Sequence, residues 1–309
     1  MWAIIILYFW INYWVLPVGE IVFDETNDYL AIIVHEQGVS YATGDVNQYI
    51  DEAVQEMKWA IVSWTIHNVA MNEEVYQERY QTICISDLVL CGKVHWVWEF
   101  TFKEKYLYLS TVFKVVHFVQ DHAVVGNDIV GVLRSITIDN SVGNRRWYAT
   151  WDEIVLNLWS VSSSVEFVGL VSHELGHIVD LWSIQGSSER KHWSFTEFGK
   201  KVFSEDDPSL DYYAISRKSE MIRKSWVNKK DFCSGYGMSD PFEDMAECFN
   251  LYMQHNALFK AIAKRNESLK KKYNYIATVF DWQFMDESSS DLDVGDLSSR
   301  PWDTTRING

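Results

Sequence analysis

The sequence predicts an α+β fold, a small sheet packed on one buried helix with a second helix closing over it, and three observations predict it. The apolar period changes along the chain: residues 45–76 and the run from Leu109 repeat every three or four residues, whereas Arg134–Asp139 and Trp147–Trp159 alternate. The run VEFVGLVSHELGHIVDLW is apolar almost all round, the pattern of a buried helix. Asp240-Pro241 then writes a second helix start, with an N-cap followed by proline at the first helical position. With 309 residues, of which 48% are hydrophobic, the chain has enough material for one large domain or two ordinary ones.

Taken in order, the elements begin with residues 1–19, which carry no charge and read as a signal or membrane anchor. The same run also suits a buried strand or helix of a soluble protein. An outward-facing, exported or anchored protein is the expectation, with a cytoplasmic one as the alternative. Residues 20–125 are expected to form a mainly helical N-terminal lobe, in which His117 and His122 are ordinary helix residues. A metal-binding domain is expected over 126–283. In it Arg134–Asp139 and Trp147–Trp159 form a β-hairpin across the turn chemistry of Asn140–Asn144. Ser162–Ser164 offer N-caps with Glu166 in capping-box position, so the long buried helix covers about 164–183. Residues 184–235 read as a loop-rich insertion. From 284 the chain turns to Ser, Asp and Gly and reads as a disordered acidic tail.

Charge excludes one class of function. The net charge is −16, and nucleic-acid binding by counterion release needs a basic face. Basic residues gather at Arg217–Lys230 and Lys260–Lys272, where solvated helix faces explain them. The four cysteines include no CxxC pair, which argues against a four-cysteine zinc knot. Buried thiols fit them, and so do oxidised pairs, Cys84 with Cys91 or Cys233 with Cys248, which would agree with export.

Chemistry enters at His173-Glu174-Leu175-Gly176-His177. Histidines four apart on a helix lie one turn apart on one face, so both imidazoles reach one ion, and Glu174 beside the first is aimed at the water such an ion activates. Two core histidines beside an unpaired buried glutamate would instead strand a carboxylate in low dielectric, at several kcal/mol. A catalytic zinc site needs a third protein ligand. Asp180 lies two turns from His173, which suits it to supporting the ligands from behind. Glu243 and Glu247, four apart on the Asp240-capped helix among apolar neighbours, are the better pair, one to bind and one to orient a histidine.

HELGHIVD followed by SGYGMSDPFEDMAECF resembles the gluzincin metallopeptidases, most closely the catalytic domains of lethal-factor-like toxins and related bacterial zinc peptidases. The resemblance covers about residues 130–260. It implies a zincin-like domain holding one Zn2+ on His173, His177 and Glu243, with Glu174 as general base and Glu247 behind the ligands. Tyr236, seven residues before Glu243, would stabilise the oxyanion or protonate the leaving amine. Met245 stands where the family more often has an aromatic residue. The implied activity is peptide or protein hydrolysis, with an extended substrate adding to the strand at Glu153–Leu158. A non-catalytic, zinc-clipped surface or interaction module and a cytoplasmic regulatory peptidase are the alternatives. Glu174 speaks against the first, because a structural site has no use for a base.

Overall fold

A computed structural model describes residues 4–11, 14–23, 29–35, 38–41 and 147–150 by their backbone, and residues 73–123, 128–141, 152–286 and 301–307. The chain is mixed α+β and divides into two compact units, residues 1–71 and 72–309. In the first, strands β1 (Ile4–Ile11), β2 (Trp14–Phe23), β3 (Tyr29–His35) and β4 (Gly38–Tyr41) form an antiparallel sheet in sequence order. Ile11 pairs with Trp14 at the first reversal, and Glu20 pairs with both Ile6 and Ile32. These runs are dense in Ile, Val, Tyr, Phe and Trp, which fit a pleated surface better than a helix. The helical lobe expected from residue 20 is therefore strand as far as Tyr41, and the helix expected over 45–76 lies outside the described residues until Glu73. No helix among the described residues is long and apolar enough to cross a membrane.

The second unit begins with helices Glu73–Ser86 and Leu88–Lys93, tied together by the Cys84–Cys91 disulfide. Strand β5 (Val94–Val97) and the helix Phe102–His122 follow. Thr101 and Glu104 close a full capping box on that helix, which buries Leu109, Val112, Val116 and Val119 at helical spacing. Tyr108 packs edge-on against Phe167 of the helix Ser164–Ile178, with ring centroids 4.7 Å apart. Because this shared core joins them, the helices before residue 125 belong with His173, His177 and Glu243, and the boundary falls at 71/72.

A four-stranded sheet of order β5-β6-β8-β7 contains β6 (Ser135–Asp139), β7 (Trp147–Thr150) and β8 (Glu153–Asn157). Strand β6 runs parallel to both β5 and β8, and only β7 is antiparallel, pairing with β8. The hairpin thus joins β7 to β8 through the tight turn around Asp152 and not β6 to the strand that follows. Ile136, Ile138, Ile154 and Leu156 alternate onto one face of the sheet and are buried in the core, while Thr137, Asp139, Glu153 and Val155 on the other face are half-buried. One further expectation changes with the strand order. Glu153–Leu158 begins as an interior strand, so its edges are already taken.

Beyond the Ser164–Ile178 helix come the short antiparallel pairs Lys191–His192 with Phe203–Ser204 and Arg217–Ser219 with Ile222–Arg223, around the helix Ser209–Ser216. Helices Pro241–Gln254, Asn256–Ala263 and Glu267–Val279 complete the unit. The expected disordered tail is corrected in part. Residues 287–300 lie outside the described residues, but Asp303, Thr304, Thr305 and Ile307 are buried, and Thr304–Arg306 packs on the Ser164–Ile178 and Pro241–Gln254 helices. Composition read their polarity as solvent exposure, whereas those polar groups are consumed by hydrogen bonds inside the fold.

Candidate metal centre

Ser163 caps the Ser164–Ile178 helix by accepting a hydrogen bond from the Glu166 N–H at 3.1 Å. Glu166 reaches back to the Ser162 N–H at 2.7 Å. Both bonds satisfy donors at the helix start. One helical turn separates His173 and His177, whose ring centroids lie 5.0 Å apart. Gly176 between them sets the approach of the neighbouring helix. A Cβ there would lie 3.0 Å from the Ala246 Cα and 3.2 Å from the Phe249 ring, so only glycine lets the two helices touch at this level.

The Pro241–Gln254 helix is started by Asp240, whose carboxylate accepts from the Phe242 and Glu243 N–H groups at 3.0 and 2.8 Å. The Cys233–Cys248 disulfide ties the preceding loop to the same helix. This places Glu243 Oε2 3.1 Å from His173 Nε2 and 3.4 Å from His177 Nε2. Ligand atoms of all three residues lie within 4.8 Å of one another. For metal–ligand bonds near 2.05 Å, tetrahedral geometry separates two ligand atoms by about 3.3 Å, and these separations bracket that value. Two imidazole nitrogens and one carboxylate oxygen also form a donor set that zinc accepts.

Glu247, one turn further, faces the other side of the same imidazole: its Oε1 lies 2.9 Å from His173 Nδ1. Its Oε2 accepts the Thr304 N–H at 2.8 Å, and Thr304 Oγ1 accepts from Asn250 Nδ2 at 3.0 Å. A carboxylate held on Nδ1 selects the tautomer that leaves Nε2 free to ligate. Tyr236 donates its phenol to Glu243 Oε1 at 2.8 Å, and its ring stacks on His173 with centroids 6.1 Å apart. Its own N–H donates to the Trp302 carbonyl at 2.6 Å. Residues 301–307 thus hold both Glu247 and Tyr236.

Glu174 is fully buried, and neither carboxylate oxygen has a hydrogen-bond partner among the described residues. Burial lifts its pKa to about 7 against the opposing pull of His173 and His177. Burial would likewise raise Glu243, but the His177 charge and the two imidazoles hold it well below the usual carboxylate range. Desolvation presses His173 down, and the bonds and charges of Glu243 and Glu247 outweigh it and raise it well above the ordinary imidazole value. Three carboxylates, Glu174, Glu243 and Glu247, thus lie around the two imidazoles and could offset the charge of a cation held by the two Nε2 atoms and Glu243 Oε2.

No protein-family model, curated protein or solved structure matches the chain. The site accordingly rests on its own geometry. The structure gathers His173, Glu174, His177, Tyr236, Glu243 and Glu247, and turns Asp180 elsewhere. Asp180 lies in the π-helical turn Val179–Ser183, and its Oδ2 accepts the Tyr213 phenol at 2.6 Å instead of supporting a histidine. That turn carries the side chain round the helix, away from the face shared by His173 and His177. Thr304 is the functional neighbour that sequence reasoning missed. Its contribution is a backbone N–H, 57 residues from Glu247, and no side-chain pattern records it.

Proposed function

We propose that the chain is a zinc-dependent metallopeptidase with a zincin-like second unit, hydrolysing peptide bonds with Glu174 as general base. The observation that carries this reading is a three-donor cradle of zinc dimensions beside a buried carboxylate that no described residue satisfies. His173, His177 and Glu243 would hold one Zn2+, which polarises a carbonyl oxygen and lowers the pKa of water towards about 7. Glu174 would take the proton of the attacking water and return it to the leaving nitrogen. Tyr236 offers its phenol proton to the developing oxyanion, and burial together with Glu243 keeps that proton on by raising the phenol's pKa. Glu247 keeps His173 in its ligating tautomer.

An extended substrate would pair with β7, which among the described residues pairs only with β8 and so leaves one edge for main-chain hydrogen bonds. A closed structural clip is the less favoured reading, because the His177 and Glu243 side chains keep 12% and 19% of their surface exposed, and catalytic sites retain an open side. Two disulfides accord with an oxidising compartment, and the enzyme is read as exported or anchored at a cell surface. Elemental analysis of purified protein tests the site. About one zinc per chain is expected, lost in His177→Ala and Glu243→Gln but kept in Glu174→Gln. Full zinc in Glu243→Gln would overturn the ligand set. A zinc-loaded chain that cleaves no member of a peptide library would leave the binding module standing.

A further inference from the structure

Two loops beside the site form a surface that is both basic and apolar. Residues 191–201 and 217–230 together hold nine basic and two acidic side chains, in a chain of net charge −16. Neither acid offsets the surface charge fully. Glu220 is buried, and its carboxylate accepts from the Thr196 and Phe198 N–H groups at 2.9 and 2.7 Å, while its own N–H donates to the Ser194 carbonyl at 2.9 Å. Glu197 is half-buried. Glu220 thereby zips the loops into one platform, which Arg217 anchors by donating to the Met238 carbonyl at 2.7 Å, two residues past Tyr236.

From this platform large apolar side chains stand out into solvent: Trp193 at 73%, Met221 at 77%, and Phe198, Ile222 and Trp226 each more than half exposed. Lys200, Lys218, Arg223, Lys229 and Lys230 are exposed around them. Phe198 is held outward at a cost. Glu197, Phe198 and Gly199 have successive φ values of 45°, 56° and 81°, a left-handed path that side chains other than glycine resist.

We infer that this platform, Trp193–Phe198 with the Arg217–Lys230 hairpin, docks the protein on an anionic lipid bilayer. Aliphatic tips at Met221 and Ile222 with flanking tryptophans suit the headgroup–acyl boundary, and surrounding lysines and arginines answer anionic headgroups. A nucleic acid would use the cations and aromatic rings but gains nothing from the aliphatic tip. The inference does not depend on peptidase activity, and its test reads binding alone.

Full-length protein is sedimented with vesicles of phosphatidylcholine and of phosphatidylcholine mixed with phosphatidylserine, at low and high salt. Binding is expected to the anionic vesicles only, to weaken with salt, and to fall at least about tenfold in Met221→Asp/Ile222→Asp. The exposed pair Lys218→Glu/Arg223→Glu provides a second variant should the first melt early, with a similar loss expected from removed headgroup attraction. Equal binding to both vesicle types, undiminished binding by both variants, or a preference for heparin or single-stranded DNA over vesicles would overturn it.

Discussion

The molecule buries carboxylates in two neighbouring clusters and treats them in opposite ways. Asp244, on the Pro241–Gln254 helix, accepts from Lys272 Nζ at 2.7 and 2.9 Å and from Ser216 Oγ at 3.1 Å. Lys272 spends its remaining capacity on the Asp231 carbonyl at 2.7 Å and on the Phe232 ring, 4.3 Å from its centroid. Glu174, equally buried, has no such partner. A buried charge kept for stability is saturated by its own protein, because leaving it unpaired costs several kcal/mol. One kept for chemistry is left short of partners that a ligand or substrate then supplies. The comparison separates the scaffold from the site without reference to any other protein.

The largest effect expected from breaking it falls on activity. Glu174→Gln should lower kcat by 10³-fold or more, on the order of the upper range for general-base loss, while the apo-protein melts no earlier than the unmodified chain. A clear drop in its melting temperature would mean that Glu174 is a structural charge after all. Lys272→Met should do the reverse: about 3–5 kcal/mol lost in denaturant unfolding, because Asp244 is stranded, with zinc per folded chain unchanged. Stability within about 1 kcal/mol of the parent would remove the distinction between the clusters.

Asp180 lies between the two cases: it is buried, it accepts from the Tyr213 phenol, and Ser209 and the Lys201 charge favour its ionised form. Burial raises its pKa from 3.8 to about 6. The unfolded chain therefore binds fewer protons than the folded one between those values, and stability falls as pH rises through that window, by about 3 kcal/mol for a shift of roughly two units. Asp180→Asn should flatten this slope in unfolding free energies measured from pH 4 to pH 7. An unchanged slope assigns it to other groups. Tyr236→Phe is expected to cost about 10²-fold in kcat with little change in KM, and a pure KM effect would make the phenol a binding group. Last, Thr304→Pro removes the N–H that holds Glu247 and should weaken zinc, measured by chelator competition, about 10- to 100-fold. Thr304→Ala, which keeps that N–H, should cost far less.

The candidate metal centre is legible in the sequence where its information is local. His173, Glu174 and His177 lie on one face by helical spacing, and the capped start at Asp240-Pro241 fixes the phase of Glu243 and Glu247 relative to their helix. Period marked the helix that contains Leu109 and the strands at 135–139 and 153–157, but left 83–101, where a short helix and β5 stand, undecided. Tertiary structure decided everything that depends on which distant segments meet. Strand order placed β8 inside the sheet and β7 at its edge, a pairing between separate segments that alternation within one strand does not record. Only helix–helix contact at Gly176 and Ala246 determined that Glu243 meets the Nε2 atoms while Glu247 takes Nδ1. The π turn rotated Asp180 to Tyr213, and a backbone donor at Thr304 recruited a segment whose composition reads as disordered. Side-chain spacing encodes the faces of an element, whereas the partner of each face is set by packing and by the demand that every buried polar group find one.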